Sequence, residues 1–310
     1  PLTYFEYGTL AALWLFQRAG LDLAVLEVGL GGRLDAVNLV DADVAVVTTV
    51  DIDHTDWLGH DREAIGREKA GIARPWKPLV LGEVDSPSSV LRHAYAIGAN
   101  ALRLGSDFFH EPVDATQWRW REVGAELLLP QPRLDAPAQR GNAATAIAAL
   151  RALPRALPEH AFAEGVASAR AAGRLQRFSR DGIEVVVDVA HNAQAVRGLA
   201  DWLRADPPAG ATAVVFAALA DKDAAAMVQA LAPAVARWHL AGLEGTARGQ
   251  DVAAFAARLA TTAAAGGTRD GAVDAALARA LAASKPGDRV LVFGSFHTAA
   301  AAIAMLRSGR

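Results

Sequence analysis

The 310-residue sequence contains no cysteine. A chain without cysteine cannot form a disulfide, use a thiolate nucleophile, or hold zinc or an iron–sulfur cluster through Cys ligands. Those classes of site and scaffold are excluded before any other residue is considered.

The sequence also lacks an excess of charge of either sign and lacks long hydrophobic runs. Its 31 Lys and Arg residues face 34 Asp and Glu residues, so it has none of the basic surplus typical of nucleic-acid binding. No uninterrupted apolar run reaches the roughly 18 residues that cross a bilayer, and no basic-then-apolar export segment opens the chain. We therefore expect a cytoplasmic protein with neither nucleic acid nor membrane as a partner. We also expect a monomer.

A third absence concerns phosphate binding. The phosphate-loop motif G-x-x-x-x-G-K-[ST] occurs nowhere in the sequence, and residue 1 is Pro rather than Met. Phosphates must then be bound by other residues of this chain, or by a segment that precedes it.

The hydrophobic content of 52% is ample for two buried cores in a chain of this length. In the first half, periodicity predicts helices over residues 2–17, 61–71 and 142–150, strands over residues 23–28, 44–50 and 78–81, and a β-rich insertion through Trp118, Trp120 and residues 127–129. The two apolar runs 23–28 and 44–50 are typical of buried parallel strands.

A second βα series follows Pro154, Pro158 and a turn at residues 171–173, so we place a domain boundary near residue 172. Its predicted strands cover residues 183–187, 213–216, 237–240 and 289–293, and Ala-rich helical segments separate them. This alternation predicts an α/β fold with a parallel, doubly wound sheet, in which ligands bind beyond the carboxyl ends of the strands.

Several polar side chains follow these strands. Glu27 falls within an apolar run, where an unpaired carboxylate would be costly, so it must bind a cation such as Mg²⁺ or pair with Arg33 or a helix N-terminus. Asp51, Asp53, His54 and Asp56 crowd the end of the next run and form either a cation site or a solvated acidic loop. By itself, Lys69 is typical of a solvent-facing helical lysine.

The glycines at positions 29, 31 and 32 allow a tight turn and close approach to a ligand. They do not form the dinucleotide fingerprint, because the position that requires the third glycine holds Leu34. A nicotinamide enzyme therefore loses its best support.

Taken together, three stretches resemble the central domain of the folylpolyglutamate synthase/dihydrofolate synthase family, within the wider Mur ligase group. They are LEVGLGGRLDA at 26–36, DHTDWLG at 53–59 and REKAGI at 67–72. Shorter matches follow at 140–144, 173–176, 188–192, 220–223 and 294–298. The resemblance implies a Mur-ligase-like central domain over residues 1–172, lacking its N-terminal phosphate-loop portion, and a C-terminal Rossmann-like α/β domain over residues 173–310.

The resemblance also implies roles for particular residues. It implies two Mg²⁺ sites with Glu27 and His54 as ligands, and a carbamylated Lys69 that helps to position the metals. It implies that ATP is held by Asn142, Arg174, Asp188 and His191, with Lys222 meeting phosphate. It implies folate binding by Thr3, Tyr4, Phe5, Glu6, Leu34, Asp35 and Ala36, and it places Ser295 or the candidate catalytic His297 near the incoming glutamate.

The implied reaction is an ATP-driven addition of L-glutamate to dihydropteroate or folate through an acyl phosphate. The matches at residues 3–6 and 34–36 favour a bifunctional enzyme, and the missing phosphate loop predicts that this chain alone does not turn over. Two alternatives stay open: a metal-dependent phosphohydrolase built on Asp51, Asp53, His54 and Asp56, and a non-catalytic remnant of the ligase fold.

Overall fold

The computed structural model describes residues 1–52, 55–133 and 138–309. The chain divides into two compact units, one formed by Pro1–Gln131 and Arg140–Ala167, the other by Pro132–Gln139 and Ser168–Arg310.

The first unit is built around a parallel sheet of three strands in the order β1-β2-β3. In chain order its elements are α1 (Tyr4–Ala19), β1 (Ala45–Val47), α2 (Thr55–Leu58), α3 (Arg62–Ala70), β2 (Pro78–Leu81), α4 (Ser88–Ile97) and β3 (Asn100–Arg103). Apolar residues of β1 and β2 pack against α3 and α4 in one core cluster. The predicted helix 61–71 and strand 78–81 are confirmed, and Asp61 caps α3 by accepting from the Ala64 N–H.

The helix α1 begins with a capping box. The Thr3 hydroxyl accepts from the Glu6 N–H, and the Glu6 carboxylate accepts from the backbone N–H and the hydroxyl of Thr3. The helix ends at Gly20, which adopts the left-handed conformation that glycine tolerates best. The helix predicted over residues 2–17 is confirmed.

The strand predicted over residues 23–28 is wrong. Within the described part of the chain these residues form no strand, and Leu23 and Val25 are 50% and 84% exposed. The hydrophobic pattern depends only on side-chain character, whereas a strand also needs a neighbouring strand. Among the described residues, β1 pairs only with β2. The strand predicted over 44–50 is confirmed only at its centre, as the three-residue β1.

A small antiparallel sheet confirms the predicted β-rich insertion. It consists of β4 (Phe108–Pro112), β5 (Gln117–Glu122) and β6 (Ala125–Pro130), in that order. Trp118 and Trp120 alternate along β5 and are fully buried. They pack with residues of α5 (Gln139–Arg151) and α6 (Glu159–Ser168), and the Trp120 Nε1–H donates to the Ala144 carbonyl over 3.1 Å.

The second unit is a six-stranded sheet in the order β11-β10-β9-β12-β8-β7. Its strands are β7 (Gln176–Arg180), β8 (Ile183–Val187), β9 (Thr212–Phe216), β10 (Arg237–Ala241), β11 (Thr268–Asp270) and β12 (Arg289–Phe293). Its helices are α7 (Ala193–Ala205), α8 (Ala224–Leu231), α9 (Val252–Arg258), α10 (Val273–Ala282) and α11 (Phe296–Ser308). One face of the sheet is covered by α7, α8 and α9 and the other by α10 and α11, which confirms the doubly wound sheet.

Two strands of this sheet were not predicted. The edge strand β7 runs antiparallel to β8 through a tight turn at Asp181 and Gly182, both of which have positive φ. An Asp-Gly pair between alternating segments is a strong hairpin signal, so the sequence did contain the information. The three-residue β11 carries too little pattern to be found.

No helix in the described part of the chain is long and apolar enough to cross a membrane.

Candidate active site

In the first unit, the glycine turn after residue 28 is closed by one carboxylate. Oδ2 of Asp35 accepts from the N–H groups of Gly29 and Leu30, each over 2.9 Å, while Oδ1 accepts from the Val37 N–H over 3.0 Å. The last contact caps the 3₁₀ turn Ala36–Leu39. Because the Asp35 carboxylate accepts three backbone hydrogen bonds, it fixes the conformation of this loop.

The glycine turn packs directly on the end of α3. A Cβ at Gly32 would stand 2.9 Å from the Glu68 carbonyl oxygen and 3.0 Å from that of Lys69, so only glycine allows this approach. The Arg33 N–H donates to the Glu68 carbonyl over 2.8 Å, and its guanidinium pairs with the Glu68 carboxylate. The glycine turn that follows Glu27 is therefore fixed to the end of α3, which carries the half-buried Lys69.

A cavity of about 340 Å³ lies between α1 and the residues that follow this turn. Its lining includes Leu2, Glu6, Thr9, Leu10, Arg33, Leu34, Asp35, Ala36, Asn38 and Leu39. Four of the predicted folate-binding residues, Glu6, Leu34, Asp35 and Ala36, thus border a single cavity.

The other three predicted folate-binding residues lie close by with different surroundings. Thr3 is the N-cap of α1, the Phe5 ring lies 3.0 Å from the Cβ position of Gly29, and Tyr4 is 96% exposed. The hydrogen bonds from Thr3 lower the pKa of the Glu6 carboxyl. The T-x-x-E pattern at residues 3–6 is also a helix-capping signal, although the resemblance assigned these residues only to folate binding.

The predicted metal ligands are described only in part. Glu27 is exposed and lies outside any strand rather than inside a buried one, so the argument from desolvation does not apply to it. Asp53 and His54 lie outside the described residues, and Asp56 is described only as part of α2. Among the residues that the structure describes, no three His, Asp or Glu side chains form a group that could hold a metal.

Asn142 is the fourth residue of α5 and is exposed. The helix is anchored below it, where the Thr145 hydroxyl donates to the Gly141 carbonyl over 2.8 Å and Trp120 reaches Ala144. A rigid helix therefore presents this amide.

In the second unit, Asp188 ties the turn at residues 173–176 to the end of β8. Its Oδ2 accepts from the Leu175 N–H over 2.9 Å and its Oδ1 from the Ala190 N–H over 2.8 Å. Leu175 has a φ of 42°, an uncommon conformation for a non-glycine residue, and the Asp188 contact helps to hold it. Burial raises the pKa of the Asp188 carboxyl, against the opposing effect of these N–H groups and of Arg174.

Arg174, His191 and Phe296 cluster beside Asp188. The Arg174 guanidinium lies 5.9 Å from the centre of the Phe296 ring, and the His191 ring lies 6.0 Å from it on a tilted plane. Nδ1 of His191 is 3.0 Å from the Val189 carbonyl oxygen, a hydrogen bond that orients the ring. Phe296, 60% exposed, was missed because an isolated apolar residue in the sequence carries no sign that it will be exposed.

The end of β12 leads into α11 through Gly294 and Ser295. Ser295 is buried, and its hydroxyl accepts from the Thr298 N–H over 3.0 Å as the N-cap of α11. His297 is exposed on the first turn of the same helix. The serine predicted to meet glutamate thus has a capping contact already, while the histidine faces solvent.

Lys222 follows the end of β9 and is 9% exposed. Its backbone is held by hydrogen bonds from Lys222 N–H to the Leu219 carbonyl and from Arg258 to the Lys222 carbonyl. The neighbouring Asp221 pairs with Arg248 over 2.8 Å. Lys222 therefore lies on the same carboxyl-terminal edge of the sheet as Asp188 and Ser295.

Comparison with known proteins gives the class first. Residues 173–296 match the family profile of the Mur ligase, glutamate ligase domain. This segment covers most of the second unit, including Arg174, Asp188 and Lys222.

The comparisons over the whole chain are more specific. It is 46% identical over 300 residues to the dihydrofolate synthase/folylpolyglutamate synthase of Escherichia coli strain K12, covering 96% of this chain and 68% of that protein. The E. coli FolC structure in complex with DHPP and ADP superimposes with a TM-score of 0.92 at 45% identity, over 100% of this chain and 72% of that one. A bifunctional folylpolyglutamate synthase/dihydrofolate synthase with Mn, AMPPNP and L-glutamate bound has a TM-score of 0.88 at 41% identity, over 99% of this chain and 72% of that one.

The chain belongs to the dihydrofolate synthase/folylpolyglutamate synthase family of ATP-dependent glutamate ligases. The resemblance predicted from the three motifs is confirmed. The phosphohydrolase and remnant alternatives are not supported, because the relatives are ligases.

Proposed function

We propose that this protein uses ATP to add L-glutamate to dihydropteroate and to reduced folates, as a bifunctional ligase. The observation that carries the proposal is the cavity between α1 and residues 33–39, beside a glycine turn that packs on the helix of Lys69. Relatives that bind DHPP, ADP, AMPPNP, Mn and L-glutamate support the same substrates for this chain.

The reaction has two chemical steps. A carboxylate oxygen of the pteroate or folate attacks the γ-phosphorus of ATP, which forms an acyl phosphate and releases ADP. The glutamate amine, after losing a proton, attacks the acyl carbon, and the tetrahedral intermediate expels inorganic phosphate to leave the amide. Both steps develop negative charge on oxygen, so preorganised donors and cations supply most of the acceleration.

The second unit supplies the nucleotide contacts in this proposal. Arg174 offers a planar fork of donors for phosphate, and Asp188 and His191 beside it accept hydrogen bonds from ribose or base. We assign the Asn142 amide to ATP as well, and Lys222 to a phosphate oxygen. His297 is the exposed candidate to meet glutamate, whereas Ser295 acts there by shaping the start of α11.

Glu27 offers an exposed carboxylate next to the glycine turn, and carboxylate oxygen is the kind of ligand that Mg²⁺ prefers. We assign Glu27 and His54 to two Mg²⁺ ions, and a carbamate on Lys69, formed by adding carbon dioxide to the neutral amine, as a further anionic group. When bound, the cations neutralise charge on the phosphate oxygens.

The domain roles follow the same proposal. Residues 1–172 form the folate-binding and ATPase domain, and residues 173–310 form the C-terminal ligase domain. The monomeric state and the cytoplasmic location stay predictions from sequence.

The test is phosphate release by the protein expressed from its complete reading frame, with Mg²⁺, ATP and glutamate, and with or without dihydropteroate or a reduced folate. We expect release only when glutamate and one of the two pterin substrates are both present. Release that is indifferent to both would overturn the proposal in favour of simple hydrolysis. Release with one pterin substrate alone would restrict the protein to a single activity.

A further inference from the structure

We propose that the ion pair between Arg62 and Glu83 positions the end of β1 and helix α3 for divalent-cation binding. This inference rests on the proposed function, because it concerns the cation of the same reaction. Neither residue belongs to the motifs on which the family resemblance was based.

Arg62 is the first residue of α3, and its guanidinium joins three segments of the first unit. Its Nε donates to the Val50 carbonyl over 2.8 Å, and its Nη2 donates to Glu83 Oε2 over 3.1 Å and to the Asp85 carbonyl over 2.7 Å. A second ion pair joins Nη1 to the Asp85 carboxylate over 3.3 Å. The arginine fork thus links α3 to the ends of both β1 and β2.

Glu83 completes the arrangement from the other side. Its Oε1 accepts from the Val50 N–H over 3.1 Å while Oε2 holds Arg62. Burial raises the pKa of the Glu83 carboxyl, and the N–H of Val50 and the positive charge of Arg62 oppose that effect.

These contacts replace strand pairing at the end of β1. The last ladder bond runs from the Gly82 N–H to the Val47 carbonyl, after which the chain leaves the sheet. At Val50 the N–H is held by Glu83 and the carbonyl by Arg62, so two side chains set the direction of the backbone. Asp51 follows at once, and His54 is four residues further along the sequence than Val50.

The C-terminal end of α3 is held by the ion pair between Glu68 and Arg33. Glu68 contacts Arg33 next to the glycine turn, with both Nε–Oε distances at 3.1–3.2 Å. Lys69 lies seven residues from Arg62, or about 10 Å along a helix. Because a helix is stiff, contacts at its two ends determine where Lys69 stands relative to the glycine turn and to the end of β1.

The chemistry of the pair indicates a role in metal affinity. Side chains that orient metal ligands without touching the metal typically change metal affinity 10- to 100-fold when substituted. Lysine retains the charge of arginine but not its fork, so Arg62→Lys loses at least one of the Val50, Glu83 and Asp85 contacts.

The experiment compares Arg62→Lys, Glu83→Gln and Glu83→Ala with the unsubstituted protein expressed from its complete reading frame. We expect Arg62→Lys to raise the Mg²⁺ concentration for half-maximal phosphate release roughly 10-fold, and to weaken Mn²⁺ binding, followed by electron paramagnetic resonance, by a similar factor. Glu83→Gln keeps an acceptor for the Val50 N–H and should lose less than Glu83→Ala. The matched control is Arg92→Lys, whose ion pair with Glu63 is long, at 3.6 Å, and whose side chain is 70% exposed.

A thermal melt of each variant separates positioning from folding. If the melting temperature falls while Mg²⁺ dependence and Mn²⁺ affinity stay unchanged, the pair is merely structural and the inference is wrong. If Arg62→Lys does not fold, Glu83→Gln makes the same comparison with a nearly isosteric side chain. Mn²⁺ binding without glutamate-dependent phosphate release would overturn the proposed function alone, whereas no Mn²⁺ binding by the unsubstituted protein would overturn this inference.

Discussion

Two aspartates that the motifs assign to ligand binding also fix the conformation of the backbone. Asp35 and Asp188 each accept two or more backbone N–H groups and so close the turns beside them. Each carboxylate therefore builds the local site before any ligand arrives, and its substitution alters geometry as well as chemistry.

Gly32 allows the glycine turn to approach the backbone at the end of α3. We expect Gly32→Ala to destabilise the protein by about 1–3 kcal/mol, because the added Cβ would meet two carbonyl oxygens and the Ile72 side chain at 2.9–3.0 Å. The matched control is Gly8→Ala in α1, where a Cβ meets nothing within 4 Å and alanine favours the helix by about 0.5–1 kcal/mol. Urea unfolding of both variants measures the difference. Equal stability of the two would show that the loop shifts freely on α3.

A pH-dependent contribution to stability comes from Asp288. Its carboxylate accepts from the N–H groups of Ala211 and Lys285 and pairs with Arg237. These contacts, that with Ala211 first, lower the pKa of Asp288 from its ordinary value. A lowered folded-state pKa means that the contribution is complete above the ordinary pKa and is lost as the pH falls through the folded value. Asp288→Asn should therefore be less stable than the unsubstituted protein at pH 7, and the gap should narrow below about pH 4.

Thermal melts between pH 3 and pH 7 test this, with the exposed Asp274→Asn as the control. A gap that stays constant over the whole pH range would contradict the assignment to the charged form of Asp288.

At the scale of elements, a buried arginine joins β12 to its neighbours in the second unit. Arg289 is 2% exposed, pairs with Glu184 of β8 over 2.6 Å and with Asp206 after α7 over 3.1 Å, and lies 4.4 Å from the Trp202 ring centre. Arg289→Met should cost about 1.5–3 kcal/mol, because it removes hydrogen bonds to two carboxylates, both of which keep Arg177 as a partner. The exposed Arg307→Met is the control, and chemical denaturation gives both values. A cost below that of the control would show that packing alone holds β12.

The success of sequence reasoning varied between elements for physical reasons. Helix α3 and the strands β8, β9, β10 and β12 were found because long periodic patterns and caps are local properties. The run at 23–28 failed because a strand requires a partner, which hydrophobicity does not reveal. The contact between Arg62 and Glu83 was missed because the two residues are 21 positions apart in sequence. Arg62 begins a helix and Glu83 follows a strand, and neither position predicts a contact with the other.

At the scale of the whole molecule, a large apolar surface is exposed on the first unit. It consists of one face of α1 and the segment after it, with Tyr7, Trp14, Leu15, Leu21, Leu23 and Val25 between 48% and 84% exposed. Only Thr9 of α1 is buried. Apolar patches of this kind are uncommon on isolated folded chains and bind hydrophobic probes.

We expect the 310-residue polypeptide, prepared by itself, to bind the dye ANS under native conditions. The double substitution Trp14→Ser and Leu15→Ser should reduce the fluorescence while leaving the melting temperature nearly unchanged, because these side chains contribute little to the core. Unchanged fluorescence would place the dye elsewhere. The control is Val123→Ser, which is 98% exposed at a hairpin tip far from α1 in sequence.

The sequence by itself determined the family and the doubly wound second unit, whereas the roles of the candidate site residues stay predictions. Motifs, caps and periodic patterns are short-range features, so they can be read before the chain is folded. Tertiary structure decided that residues 23–28 stay unpaired, that Ser295 caps a helix, and that Glu6 and Asp35 border one cavity. Tertiary structure also brought Arg62 into contact with Glu83 and Arg174 close to Phe296. Contacts between distant segments depend on how helices and strands pack, and the sequence pattern does not contain the spatial distance between two such residues.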